Sequence, residues 1–247
     1  MTISPCLKNY VDSLCRVTGG NFHRIVRLHG KDMPMETRVN DFDLGKTPVT
    51  WRLWLEYCQA TSNKPPDLPP WAIDLDDPVV NVSWFDIMRT GGFCTWVTRE
   101  TSIDVSLPTQ CQWQYAATQG NIKNVYPWGA RFDTSKLWCS LRQHGDVKRT
   151  ASTIRRHRNY VNRFGIADLV GNVGQWCFDF YTPDADAELL PSSIRRNLRF
   201  RLITGGNWQS DYPPMFQTSM QNWNHYQERN DHTGFRLVAS RVRFAHR

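Results

Sequence analysis

No run of this 247-residue chain approaches the roughly 18 consecutive apolar residues that cross a bilayer as a helix. The opening stretch, from Met1 to Lys8, has no basic region followed by an apolar one, so no secretory signal is read there and the expectation is a cytoplasmic protein without a membrane partner. Among seven cysteines there is no C-x-x-C pair, which argues against a zinc ribbon, and the odd number argues against a disulfide framework. No cysteine occurs after Cys177. The histidines show neither an H-x-x-x-H nor an H-x-E arrangement, so an iron or zinc centre of those types is not expected. Internal repeats and a recognisable interdomain linker are also missing. One domain over residues 17–240 is expected, between a leading segment, 1–16, and a basic tail, 241–247.

Large flat side chains are plentiful: 11 Trp, 12 Phe and 8 Tyr suggest an irregular core rather than a regular helical bundle. The net charge of +7 is unevenly spread. Arg149, Arg155, Arg156 and Arg158 belong to one basic stretch, and Arg195 and Arg196 to another, whereas Asp67, Asp74, Asp76, Asp77 and Asp86 make one segment acidic. Those six arginines are candidates for an anionic partner, nucleic acid or an acidic protein; a merely solvated basic loop is the plainer alternative.

Periodicity predicts three helices. Trp51, Trp54, Leu55 and Cys58 at i, i+3, i+4 and i+7 form an apolar face behind a possible cap, Thr50. Ser83-x-x-Asp86 resembles a capping box opening a helix that carries Ile87, Met88, Cys94 and Val97, with Gly91 and Gly92 inside it as sites of close packing. Thr109-x-x-Gln112 opens a third bearing Trp113, Ala116 and Ala117. Gly19-Gly20 reads as a turn entering a strand, Val39 to Gly45 as a half-buried strand, and Leu202-Ile203 and Phe235 to Val238 as strands within long loops. The pattern is α+β, a loop-rich domain with two or three helices and little sheet.

Several segments then fall in a recognisable order: Gly45-Lys46-Thr47-Pro48-Val49-Thr50, Pro78 to Trp84, Leu107 to Ala117, Tyr126-Pro127-Trp128-Gly129, Phe164 to Cys177, Thr204-Gly205-Gly206-Asn207-Trp208, and Arg229 with Gly234-Phe235-Arg236-Leu237-Val238. Together they resemble the formylglycine-generating enzyme and sulfatase-modifying factor family over nearly the whole chain. The resemblance implies a single C-type-lectin-like domain. Its enzymes oxidise a sulfatase cysteine with copper held by two cysteines; relatives use non-haem iron, oxidise other metabolites, or only bind, some of them as diversified variable proteins.

Departures from that pattern matter as much as the likeness. At the places of the copper-binding cysteines stand Ser210 and Met215, and a hydroxyl with a thioether cannot replace two thiolates for Cu(I). Glutamines 110, 112, 114 and 175 occupy places that the family usually fills with glutamate, and Gln217 and Gln221 places where it commonly has arginine. The expectation is an ion-pair network neutralised on both sides, sparing the scaffold an unpaired buried charge. Calcium, which the family often holds near the equivalent of Asn172, loses a carboxylate at Gln175, leaving at most a degenerate site around Asn172 and no cofactor expected.

The stretch from Trp208 to Asp231 mixes aromatic and amide side chains as recognition surfaces do. Ser210, Asp211, Tyr212, Gln217, Gln221, Trp223, His225, Tyr226 and Arg229 are therefore candidates to contact a protein or small-molecule ligand. Trp208 is expected in the core, and Tyr212, Trp223, His225 and Tyr226 at least partly exposed. His225 has the chemistry of a general base, although a lone histidine in an aromatic loop more often packs or contacts ligand. Ser210 lacks the neighbours of a triad nucleophile. The resulting expectation is a non-catalytic binding protein; the alternative is a copper-independent oxidase or other metabolite-modifying enzyme.

Overall fold

The computed structural model describes residues 3–28, 31–71, 73–142, 160–181 and 199–239. The six arginine candidates for anion binding and the basic tail lie outside these residues.

Helix α1 (Pro5–Asp12) starts where Ser4 Oγ accepts the Leu7 N–H at 3.1 Å, and Pro5 in the first turn has no N–H to leave unsatisfied. Leu7 and Tyr10, one turn apart, bury themselves. The Tyr10 hydroxyl accepts the Leu237 N–H at 3.3 Å, and burial pushes its pKa up to about 12. The leading segment is thereby packed into the body of the domain. Strands β1 (Cys15–Val17) and β4 (Phe42–Leu44) pair antiparallel, and β10 (Val238–Ala239) and β5 (Val105–Ser106) extend this sheet in the order β1-β4-β10-β5. Strand β4 is covered on both faces rather than half-buried, because it lies between two strands and under core side chains. Strands β2 (Gly20–Leu28) and β3 (Lys31–Val39) form a separate hairpin.

Helix α2 (Trp51–Thr61) buries Trp51, Leu53, Trp54, Tyr57 and Cys58, a wider face than the spacing alone marks. The Ser83 capping box is present, its side chain accepting the Asp86 N–H while Asp86 accepts the Ser83 N–H. The run behind this box is two helices instead of one, α3 (Trp84–Met88) and α4 (Phe93–Thr101). The break is at the two glycines: Gly91 has φ +74°, and a Cβ on Gly92 would lie 2.7 Å from Asp86 O and 2.8 Å from Arg89 O. Helix α5 (Gln110–Thr118) has the expected Thr109–Gln112 box and buries Trp113, Ala116 and Ala117. With α1 the described residues contain five α-helices, more than periodicity marks, because α1 is short and the glycines divide a longer run.

The third sheet has the order β8-β7-β6-β9, from β6 (Gly174–Phe180), β7 (Phe200–Thr204), β8 (Gln221–His225) and β9 (Thr233–Gly234), with β9 parallel to β6. Phe235 to Leu237 leaves the ladder, and its carbonyls bond instead to Val49 and Gly45 N–H groups at 2.8 Å. Two apolar clusters result. One, beneath α1, α2 and α4, stacks Trp54 on Phe93 (centroids 5.1 Å, planes 8° apart) and sets Phe235 edge-on to both. The other gathers Trp113, Phe42, Phe216 and Leu202 around α5. Aromatic pairs of this kind add about 0.5–1.5 kcal/mol each beyond the area they bury. The chain is a loop-rich α+β domain.

Candidate functional site

The loop after β7 is shaped by two successive positive φ angles, +93° at Gly205 and +62° at Gly206. A Cβ on Gly206 would lie 2.7 Å from the Phe216 ring and 2.9 Å from Met215 O, so only glycine lets the loop fold back on itself. Within it Asn207 is the organiser. Its N–H donates to Ser210 Oγ at 3.2 Å, and its Oδ1 accepts from the Gln209 N–H at 2.9 Å and the Ser210 hydroxyl at 3.3 Å. Ser210 is thus tied into a local turn, with no imidazole bonded to it among the described residues. Trp208 is core, its indole N–H donating to Asp231 O at 3.0 Å.

Ser210 and Met215 bring no thiolate to this loop. Cys177 is fully buried with Thr204 Oγ1 at 3.6 Å, and burial pushes its thiol, like that of Cys94, far up. The residues present do not fit a Cu(I) centre. Among the described residues, no group of three or more His, Cys, Asp or Glu is placed to hold a metal ion.

Beneath the loop lies a fully buried cation. Arg236 donates through Nε to Gln175 Oε1 at 2.6 Å, through Nη1 to Gly45 O at 2.9 Å, and through Nη2 to Ala167 O at 2.9 Å and Asp168 O at 2.6 Å. Burial pulls its pKa down to about 10. Gln175 Oε1 also accepts the Trp113 indole N–H at 3.0 Å. Both donors are obligatory, so the amide is oriented with Nε2 toward the carbonyls of Asp168 (2.9 Å) and Leu169 (3.1 Å). An N–H at that position repels a cation. Asn172, fully buried, directs its own amide at Asp168 Oδ2 at 3.1 Å. The Gln175 side of this site does not fit calcium.

The expected shared network of substituted glutamines is overturned. Gln112 caps its own helix, Gln175 serves Arg236 and Trp113, and Gln221 lies opposite Thr204 in the sheet. Gln110 Nε2 and Gln114 Oε1 are buried with no hydrogen-bond partner. No hydrogen bond joins any two of the six. At Gln175 an amide replaces a carboxylate beside a buried positive charge. Gln110, Gln112 and Gln114 lie on α5, Gln217 closes the turn Pro213–Phe216 and Gln221 lies in β8.

On the outer part of the third sheet, the C-terminal candidates meet residues from elsewhere in the chain. Trp223 is stacked on Tyr181 (5.1 Å, 19°) and edge-on to Phe200 (5.0 Å). Phe200 then meets His225 (6.0 Å), His225 meets Tyr226 (4.8 Å), and Tyr226 meets Phe85 (5.9 Å). The belt is half open to solvent, Trp223 at 45%, Phe85 at 41% and Phe200 at 40% exposure. His225 Nδ1 accepts the Gln227 N–H at 3.3 Å. Tyr212 stands more exposed, at 62%, with Asp211 beside it; Gln217 is partly covered at the loop's end.

Sequence reasoning did not find Arg201. Its guanidinium lies between the rings of Trp84 and Phe180, 3.8 and 3.6 Å from their centroids, and its Nη1 donates to Phe178 O. Burial lowers its pKa to about 10. Nothing in local spacing announces such a sandwich, since one ring comes from α3 and the other from β6. Arg229 departs from the belt: Nε and Nη2 form a two-pronged ion pair with Asp86 at 2.8 and 2.7 Å.

This architecture is shared with solved structures: PvdO from Pseudomonas aeruginosa (TM-score 0.72, 18% identity, 91% of this chain and 93% of that one) and Treponema denticola variable protein 1 (0.70, 15%, 92% and 94%). The model of the sulfatase-modifying factor enzyme 1-like domain matches residues 2–241, and the chain belongs to that family. Among curated relatives, the inactive C-alpha-formylglycine-generating enzyme 2 of Mus musculus is 36% identical over 114 residues, 44% of this chain and 34% of that protein. The serine/threonine-protein kinase pkn1 of Chlamydia caviae is 28% identical over 220 residues, 78% of this chain and 32% of that protein. The chain thus spans about a third of the length of these two relatives. The formylglycine-generating enzyme of Thermomonospora curvata is 27% identical over 177 residues, covering 66% and 55%. No helix among the described residues is long and apolar enough to cross a membrane.

Proposed function

We propose that this chain is a non-catalytic recognition protein built on the sulfatase-modifying factor scaffold. In this reading the belt of Tyr181, Phe200, Trp223, His225, Tyr226 and Phe85 contacts a protein or small-molecule ligand. The observation that carries it is the pairing of two facts: the positions for metal-binding thiols hold Ser210 and Met215, while six aromatic rings on one surface stay part-exposed and linked ring to ring. Rigid aromatic side chains gain contact area at small entropic cost, which favours recognition. The relationship to an inactive formylglycine-generating enzyme supports a scaffold that has outlived its chemistry. The basic stretches containing Arg149, Arg155, Arg156, Arg158, Arg195 and Arg196 would add an anionic partner, nucleic acid or an acidic protein, through a salt-sensitive contact. A cytoplasmic setting accords with the free state of all seven cysteines.

The test incubates the purified chain with copper, oxygen and a cysteine-containing sulfatase peptide, and follows the peptide by mass spectrometry. No aldehyde is expected, and conversion to formylglycine would end the non-catalytic reading. A binding partner, once in hand, should lose affinity for the Trp223→Ala and Tyr226→Ala variants; undiminished binding to both would remove the belt from the proposal.

A further inference from the structure

A cleft of about 330 Å³ opens on the other side of α3, lined by Trp54, Tyr57 and Cys58 of α2, the loop from Asn63 to Asp67, and Asp86, Arg89 and Arg229. Helix α3 divides the two regions, turning Phe85 to the aromatic belt and Asp86 and Arg89 to this cleft. Its floor is aromatic and buried: Trp54 and Tyr57 are 3% and 2% exposed. The Trp54 indole N–H has only the Cys58 sulfur, a weak acceptor, beside it. Asn63 is held in place from both sides, donating Nδ2 to the Tyr57 hydroxyl at 3.0 Å and accepting Arg89 Nη2 at 3.0 Å.

Charge decides what the cleft suits. Arg229 is neutralised by Asp86, whose carboxylate accepts two guanidinium bonds as well as the Ser83 N–H and hydroxyl. That leaves Lys64 and Arg89, neither of which has a carboxylate within ion-pair distance among the described residues, against the single exposed acid Asp67. Two cations against one acid suit a monoanion better than a dianion. The Pro65–Pro66 wall gives a flat body one apolar face to lie on beside the polar groups of the cleft. We propose that this cleft binds a small planar organic carboxylate, its charge on Lys64 and Arg89 and its ring along Pro65 and Pro66, above the buried Trp54 and Tyr57. The site is independent of the belt and uses no residue in the places of the family's metal cysteines.

The probe is benzoate, with benzamide as its neutral isostere, titrated into the full chain and followed by calorimetry and by the indole N–H signals in a ¹⁵N spectrum. Benzoate should saturate at concentrations no higher than the low-millimolar range and shift the Trp54 indole signal. Benzamide, and benzoate with the Lys64→Gln/Arg89→Gln variant, should bind at least about tenfold more weakly, as loss of charge-assisted hydrogen bonds requires. Lys64→Gln alone, an exposed side chain that no described hydrogen bond uses, guards against a folding artefact and should weaken binding in the same direction. Equal affinity for the two probes, unchanged affinity in both variants, or no saturation would each overturn the proposal.

Discussion

Arg236 Nε lies 2.6 Å from Gln175 Oε1, so a fully buried guanidinium is held by a neutral amide and three backbone carbonyl groups. No carboxylate lies within ion-pair distance of it among the described residues. Carbonyl dipoles supply the compensation that a charge partner would otherwise give. Gln175 also joins this hub to Trp113 in the second apolar cluster. Gln175→Leu removes the acceptor that Arg236 and Trp113 share, and leaves the Asp168 and Leu169 carbonyls without their amide donor. The expected loss is about 3–5 kcal/mol, read as a lower urea midpoint.

The two glycines between α3 and α4 separate strain from collision. At Gly91 a Cβ meets nothing within 4 Å, so Gly91→Ala costs only its left-handed backbone, about 1–2 kcal/mol. At Gly92 the Cβ runs into three carbonyl oxygens at 2.7–3.0 Å. Gly92→Ala should therefore cost more, about 2–3 kcal/mol, because backbone atoms have to move. Thermal unfolding of the two variants side by side checks the order.

Asp86 carries an acid dependence. Burial pushes its pKa up, but the hydrogen bonds from Arg229 and Ser83 outweigh this and leave it below the usual carboxylate value. A carboxylate with a depressed folded pKa contributes stability that is complete above its unfolded value near pH 4, and that fades as pH falls through the folded value. Asp86→Asn should cost about 1 kcal/mol at pH 7, the pair being partly solvated, with Arg229 55% exposed. The difference from the parent chain should shrink steadily below about pH 4. Urea titrations at pH 7 and pH 3 measure it.

Trp223 and Trp208 have opposite expected behaviour. Trp208 is 5% exposed, packs edge-on to Trp71 at 5.2 Å and spends its N–H on Asp231 O. Trp208→Ala should cost about 3–5 kcal/mol. Trp223, 45% exposed, should cost about 1–2 kcal/mol when replaced by alanine. A Trp223 variant as damaging as the Trp208 one would show the belt to be core.

The sequence by itself determined the local structure: capping boxes at Ser83 and Thr109, the α2 face from Trp51 to Cys58, and the absence of thiols at 210 and 215. Each depends on neighbours a few residues away, where backbone geometry and side-chain period act directly. Only the tertiary structure decided that six substituted glutamines share no network, that Arg229 leaves the aromatic belt for Asp86, and that Arg201 rests between Trp84 and Phe180. Those partners are separated by up to 143 positions in the chain. Which of them meet is set by how sheets and helices pack around a common core, and local spacing holds no record of that.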